Sequence, residues 1–168
     1  LMADFRSRLT LTGEVKTPRM AVEDGTLAFG AASLAFAHDV SGSGTLGFAP
    51  VSDAQTVTFT GTCACEGGLA IGDGTTFVLP AGTVRTAAKA TFSGTSTLRF
   101  AEGATLSLGT VAFEPDAVVN LELPKGAETS SLRVGTTACL SREELMHFRV
   151  GGHSLRRQTD VGWINASV

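Results

Sequence analysis

A two-residue hydrophobic beat, apolar-x-apolar, recurs along most of this chain and leaves few folds open to it. The beats are Leu27-x-Phe29, Leu34-x-Phe36, Leu46-x-Phe48, Val57-x-Phe59, Leu69-x-Ile71, Phe77-x-Leu79, Leu98-x-Phe100, Leu106-x-Leu108, Val111-x-Phe113 and Val119-x-Leu121-x-Leu123. Alternate residues of a strand point to the same side, so each beat specifies a very short strand with one buried face. Hairpin proteins use longer alternating arms with turn signals every eight to twelve residues. Here many beats start only seven or eight residues apart, and three of them with their corners take about 22 residues, a repeat length typical of solenoids.

The fold class that follows is all-β, a right-handed parallel β-helix. Each coil supplies two or three short strands that hydrogen-bond to the matching strands above and below, so like side chains stack in columns. Phe29, Phe48, Phe59 and Phe100 are expected in such an interior ladder. Asp24-Gly25-Thr26, Asp73-Gly74-Thr75 and Glu102-Gly103-Ala104-Thr105 stand just before a beat and are expected as corners, because glycine permits the positive φ of a sharp bend. A β-sandwich is the alternative, and it predicts two-residue hairpin turns of the Asn-Gly type. The chain contains no Asn-Gly.

After Pro124 the texture changes, and we divide a single domain into coils over 1–124 and a closing segment over 125–168. Ser141 with Glu144 forms a capping box and Leu140 with Leu145 a hydrophobic staple, which predicts a short capping helix ending at Gly151-Gly152. Leu132-x-Val134 and Phe148-x-Val150 supply the last beats, and Trp163 is expected to pack against the last coil. The sequence opens on Leu1, and the strand pattern begins at once in Leu9-x-Leu11, which predicts a piece of a longer chain.

Charge excludes a nucleic-acid role. Residues 1–124 carry seven Lys/Arg against twelve Asp/Glu, and residues 125–168 carry six against four. A nucleic-acid binder concentrates basic residues on one face, whereas Arg142, Arg149, Arg156 and Arg157 read as a solvated end surface. No apolar run is long enough to form a membrane-spanning helix.

Few residues suggest chemistry. Asp39, Asp53, Asp73, Glu114 and Asp116 are the carboxylates that could line an outer groove. Polysaccharide-cleaving β-helices use such groups, often with Ca²⁺ and a basic residue, on acidic sugars. Each stands near a likely corner, where aspartate favours turns. An enzyme groove requires at least three of these acids with Arg85, Lys89 or a similar cation, whereas scattered positions point to a structural module. His38-Asp39 is the one histidine next to a carboxylate, but neighbours on a strand face opposite ways. Cys63 and Cys65 read as small core residues on one side of a strand. His147 and His153 are expected to be exposed, and the histidines and cysteines lack the spacing of a four-ligand metal site. No catalytic, cofactor-binding or metal residue is assigned, and no cofactor.

The units Gly25-Thr26-Leu27-Ala28-Phe29-Gly30, Gly44-Thr45-Leu46-Gly47-Phe48 and Ala104-Thr105-Leu106-Ser107-Leu108-Gly109 resemble those of autotransporter-associated β-strand repeat proteins. The resemblance covers about residues 22–124 and extends loosely to Phe148-x-Val150-Gly151-Gly152 and Gly162-Trp163-Ile164. It implies a secreted or bacterial cell-surface location and a non-catalytic structural or adhesive role, with extracellular glycan, matrix or another protein as partner. A carbohydrate-active or glycan-binding β-helix and an inert spacer are the alternatives.

Overall fold

The computed structural model describes residues 2–124, 131–134, 143, 147–150, 153–154 and 163–164. Side chains of residues 2–7 and of several positions after 130 lie outside this description. The strands are β1 (Met2–Leu11), β2 (Arg19–Phe29), β3 (Ser33–Phe36), β4 (Asp39–Gly42), β5 (Thr45–Phe48), β6 (Gln55–Phe59), β7 (Thr62–Cys65), β8 (Gly68–Ile71) and β9 (Thr75–Leu79). They continue with β10 (Val84–Phe92), β11 (Thr95–Phe100), β12 (Thr105–Phe113), β13 (Val118–Glu122), β14 (Ser131–Val134), β15 (Phe148–Val150), β16 (His153–Ser154) and β17 (Trp163–Ile164).

Strands β1 to β15 pair with one another only in parallel, which rules out the sandwich and forms a solenoid of about five turns. The β3 face shows the pitch. Ser33 pairs with Thr56, Thr56 with Thr76, Thr76 with Thr97 and Thr97 with Asn120, so successive coils take 23, 20, 21 and 23 residues. This face runs β3-β6-β9-β11-β13-β15. A second sheet covers the other two faces. Long strands cross both in one sweep: the first part of β2 pairs with β4 and its last part with β5.

All ten beats fall on strands, with Leu123 just beyond the end of β13, and most of their apolar residues are fully buried. The phenylalanines form two columns rather than the single ladder expected. Leu11, Phe29, Phe48, Ile71, Phe92 and Phe113 stack on one face, while Phe36 stacks on Phe59 and Leu79 on Phe100 on another. The columns interlock edge to face: Phe36 lies 5.1 Å from Phe29 and 5.2 Å from Phe48 between ring centres. Edge-to-face contact sets the positive rim of one ring against the negative face of the next.

The three expected corners all bend at glycine, with φ of 69° at Gly25, 70° at Gly74 and 71° at Gly103. One inward corner position is polar. Gln55 pairs with Thr75, both fully buried, and each serves a strand-end carbonyl of an earlier coil. Gln55 Nε2 donates to Phe29 O and Ala31 O at 2.9 Å each, and Thr75 Oγ1 donates to Phe48 O at 3.3 Å. Phe29 O and Phe48 O also accept from Ala49 N and Gly72 N of the next coil, so these side chains supply a second donor.

At the far end β17 pairs antiparallel with β14, and β16 with β15. The expected capping helix lies outside the described residues except Glu143, as does the Trp163 side chain.

Two predictions follow from this packing. Phe48→Ala removes the ring that bridges both aromatic columns and is expected to cost about 3–5 kcal/mol, read by urea unfolding. An alanine methyl at Gly68, φ 76°, would lie 2.1 Å from Lys89 O, whereas at Gly82, φ 66°, it meets nothing within 4 Å. Gly82→Ala should therefore cost only the left-handed backbone strain, about 1–2 kcal/mol, and Gly68→Ala clearly more in the same assay.

Candidate functional site

An insertion at one corner shapes the outer surface. Between β8 and β9 the chain turns in residues 72–74, and between β10 and β11 in residues 93–94, but between β5 and β6 it runs through residues 49–54. This longer corner folds back along the stack, with Val51 N donating to Gly30 O at 3.2 Å. It forms one wall of a groove of about 510 Å³.

The floor is the outward side of the β5-β8-β10 face, where Gly47, Ala70 and Thr91 stack in register and leave room above them. Thr26 and Arg8, also in register with each other, line the end nearest the first coils. The wall carries Ser52, Asp53, Asp73, Ser93 and Glu114. Gly72, Ser93 and Glu114 follow the same strand position in successive coils, each donating its N–H to the carbonyl one coil earlier. Wall positions are thus about 4.8 Å apart along the axis.

Three of the five carboxylates singled out in the sequence therefore meet in one groove, and the other two do not. Asp39 begins β4 instead of a corner, and its Oδ1 accepts from Thr62 Oγ1 at 2.7 Å on a separate shallow hollow. Asp116 forms a turn with φ 63°. Asp73 has a structural task too, since its Oδ1 accepts from Thr95 N at 2.7 Å. Neither Arg85 nor Lys89 lines the groove; its cation is Arg8, which no motif or spacing marks in advance. Arg149 is exposed on β15, and Arg142, Arg156 and Arg157 lie outside the described residues.

His38 and Asp39 face different partners. The His38 ring packs edge-on against Phe36 at 5.0 Å, and its Nδ1 lies 2.5 Å from Thr17 O, where Nδ1–H donates to the carbonyl. His147 corrects the expectation of exposure. It is half-buried, stacked on Phe113 at 4.4 Å, with Nδ1 2.6 Å from Ala117 O. The aromatic column extends to this corner and takes imidazole as its last flat ring. The side chain of His153 is not among those described.

Cys63 and Cys65 are buried and unoxidised, as a core role requires. Interaction between the two side chains holds the Cys63 thiol below its ordinary range and, with burial, pushes the Cys65 thiol well above it. Arg99 and Glu122 form an exposed ion pair at 2.5 Å on the β11-β13 face, a contact worth less than about 1 kcal/mol.

Among the described residues no group of three His, Cys, Asp or Glu is arranged to hold a metal ion, and no helix is long and apolar enough to cross a membrane. Comparison with family models, curated proteins and solved structures finds no match to this chain.

The double role of Asp73 is measurable. Asp73→Ala should lower unfolding stability by about 1 kcal/mol through loss of the Thr95 acceptor. Asp53→Ala, which has no such bond, should stay within about 0.5 kcal/mol of the parent.

Proposed function

We propose that this solenoid is a non-catalytic display module of a secreted or cell-surface protein, and that its groove holds an extended polyhydroxylated chain such as a glycan. The observation that carries this reading is the groove itself, a trough across several coils of a rigid stack. Its floor is small and flat, and its wall repeats polar groups once per coil. A linear sugar chain offers hydroxyls at a similarly regular spacing. Backbone and side-chain groups that are already fixed lose little freedom on meeting it.

The charge in the groove narrows the class of glycan. Asp53, Asp73 and Glu114 against Arg8 leave an excess of carboxylate, which disfavours the acidic sugars that β-helix enzymes commonly handle. Neutral chains fit better. The resemblance of the Gly-Thr-Leu units to autotransporter-associated repeats supports the surface location, and the unbroken stack suits a stalk that holds the groove away from its anchor.

A catalytic reading draws support from the same groove, where Asp53, Asp73 and Glu114 with the cation Arg8 meet the condition of three acids and a cation set by the sequence. Against it, all three are exposed, and the Asp73 Oδ1 is already engaged by Thr95 N. A general acid or base needs a free group positioned against the scissile bond.

Neutral and acidic polysaccharides spotted on an array distinguish these readings. Binding to neutral chains without release of oligosaccharide is expected. Arg8→Ala together with Asp53→Ala should weaken it about tenfold or more, in line with the loss of two polar contacts. Retention of polyuronates alone, or release of soluble sugars, would contradict the proposal, and binding to nothing on the array would leave the spacer role.

A further inference from the structure

The face that carries β4 and β7 is interrupted. Among the described residues no strand pairs with β7 on the side away from β4. In the next coil Val84–Ala87 pair with Thr105–Leu108 of β12, and β10 meets the preceding coil only at Ala90–Phe92, on Leu69–Ile71 of β8. One coil earlier the sheet is complete, with β4 and β5 met along their whole lengths by β7 and β8.

Backbone directions mark the two edges of this seam. Thr62 N and Glu66 N donate to His38 O and Gly42 O of the coil below, and successive peptide groups of a strand point opposite ways, so those of Cys63 and Cys65 face the seam. On the upper edge Thr105 N donates to Thr83 O, which turns the Val84 carbonyl toward the seam. Arg85 spans it. Its Nη1 donates to Val84 O at 2.9 Å on the upper edge and its Nη2 to Thr60 O at 2.6 Å on the lower. Its Nε is buried without a partner, and an unmet buried donor weakens the closed state. On another face the same junction is continuous: Thr97–Phe100 pair with Thr76–Leu79, and Ala101 N donates to Leu79 O at 2.9 Å. The junction is thus fastened along one face, thinly paired along the next and unpaired along the third.

We propose that the stack is jointed here: the coils up to Leu79 and those from Val84 onward swing about the β9–β11 ladder, and Arg85 is the latch on the opening side. The groove crosses this joint. Asp53, Ala70 and Asp73 belong to one body and Thr91, Ser93 and Glu114 to the other, so opening widens the floor between Ala70 and Thr91. A chain lying in the groove bridges both bodies and holds the joint shut, a coupling that rests on the reading of the groove as a glycan site. Arg85 does not line the groove and acts on it only by positioning its two halves.

Native-state hydrogen exchange, read amide by amide in the full chain, tests the joint. The amides that join Ala90–Phe92 to Leu69–Ile71 cross it; those that join Leu46–Phe48 to Leu69–Ile71, or Ala90–Phe92 to Val111–Phe113, hold equivalent places in neighbouring coils. The first set is expected to exchange about 100-fold faster than the other two, through an opening short of global unfolding. Amides between β9 and β11 should stay slow. Arg85→Ala should speed the first set about tenfold and leave the rest unchanged, and a saturating neutral polysaccharide should slow it about tenfold or more. Equal protection of the three ladders in the parent chain, a comparison that needs no variant, overturns the joint; so does an effect of Arg85→Ala spread evenly over the stack. Polysaccharide that binds without slowing the first set overturns the coupling. A chain that binds none overturns the glycan reading alone, and the joint is then decided by the rates of the free chain.

Discussion

Parallel pairing between successive coils is the constraint on which the rest of this structure depends. Every strand must offer its N–H and C=O groups to the coils before and after it, so equivalent positions are forced into register about 4.8 Å apart. Side chains at these positions then stack on their own kind, which is why Leu27 meets Leu46 and Phe29 meets Phe48. The same requirement governs the corners. A coil that bends too gently loses register with its neighbour, and positive φ at Gly25, Gly68 and Gly74 lets it bend within one or two residues. At two corners Gln55 and Thr75 add a side-chain donor to the buried carbonyls of Phe29 and Phe48, which also accept from Ala49 N and Gly72 N.

Variation is tolerated only at corners, and this is where a surface feature can be built. Residues 49–54 lengthen one corner without disturbing the pairing of Thr26–Phe29 below or Gly68–Ile71 above. The groove is therefore a consequence of one insertion laid against an otherwise flat face. Its acids come from three different corners and its arginine from the first strand. Only stacking brings them together, across more than a hundred residues of sequence.

That the phenylalanines stack in the core was legible in the sequence, because their beats use large side chains with strict alternation, as in Val57-x-Phe59 and Leu98-x-Phe100, whereas their division between two faces was not. The face of β4 and β7 was legible only at Cys63-x-Cys65, since Val40 and Ala87 are too small or too isolated to register as a beat. His147 was misjudged for a related reason: its packing partner, Phe113, lies 34 positions away and is visible only once the coils are in register. Asp53, Asp73 and Glu114 were named as candidates, but nothing in their spacing shows that they share a wall with Arg8. That follows from coil length, which the irregular beats left open.

Spin-label distances along one face test the stack most directly. In a chain whose three cysteines are replaced by alanine, labels introduced at Ser33 and Thr97 should be about 14 Å apart at the backbone, and at Ser33 and Asn120 about 19 Å, one rise of about 4.8 Å per coil. Distances that grow by that increment with each coil are the predicted result. Separations that do not scale with the number of coils between the labels would contradict the parallel stack and everything derived from it.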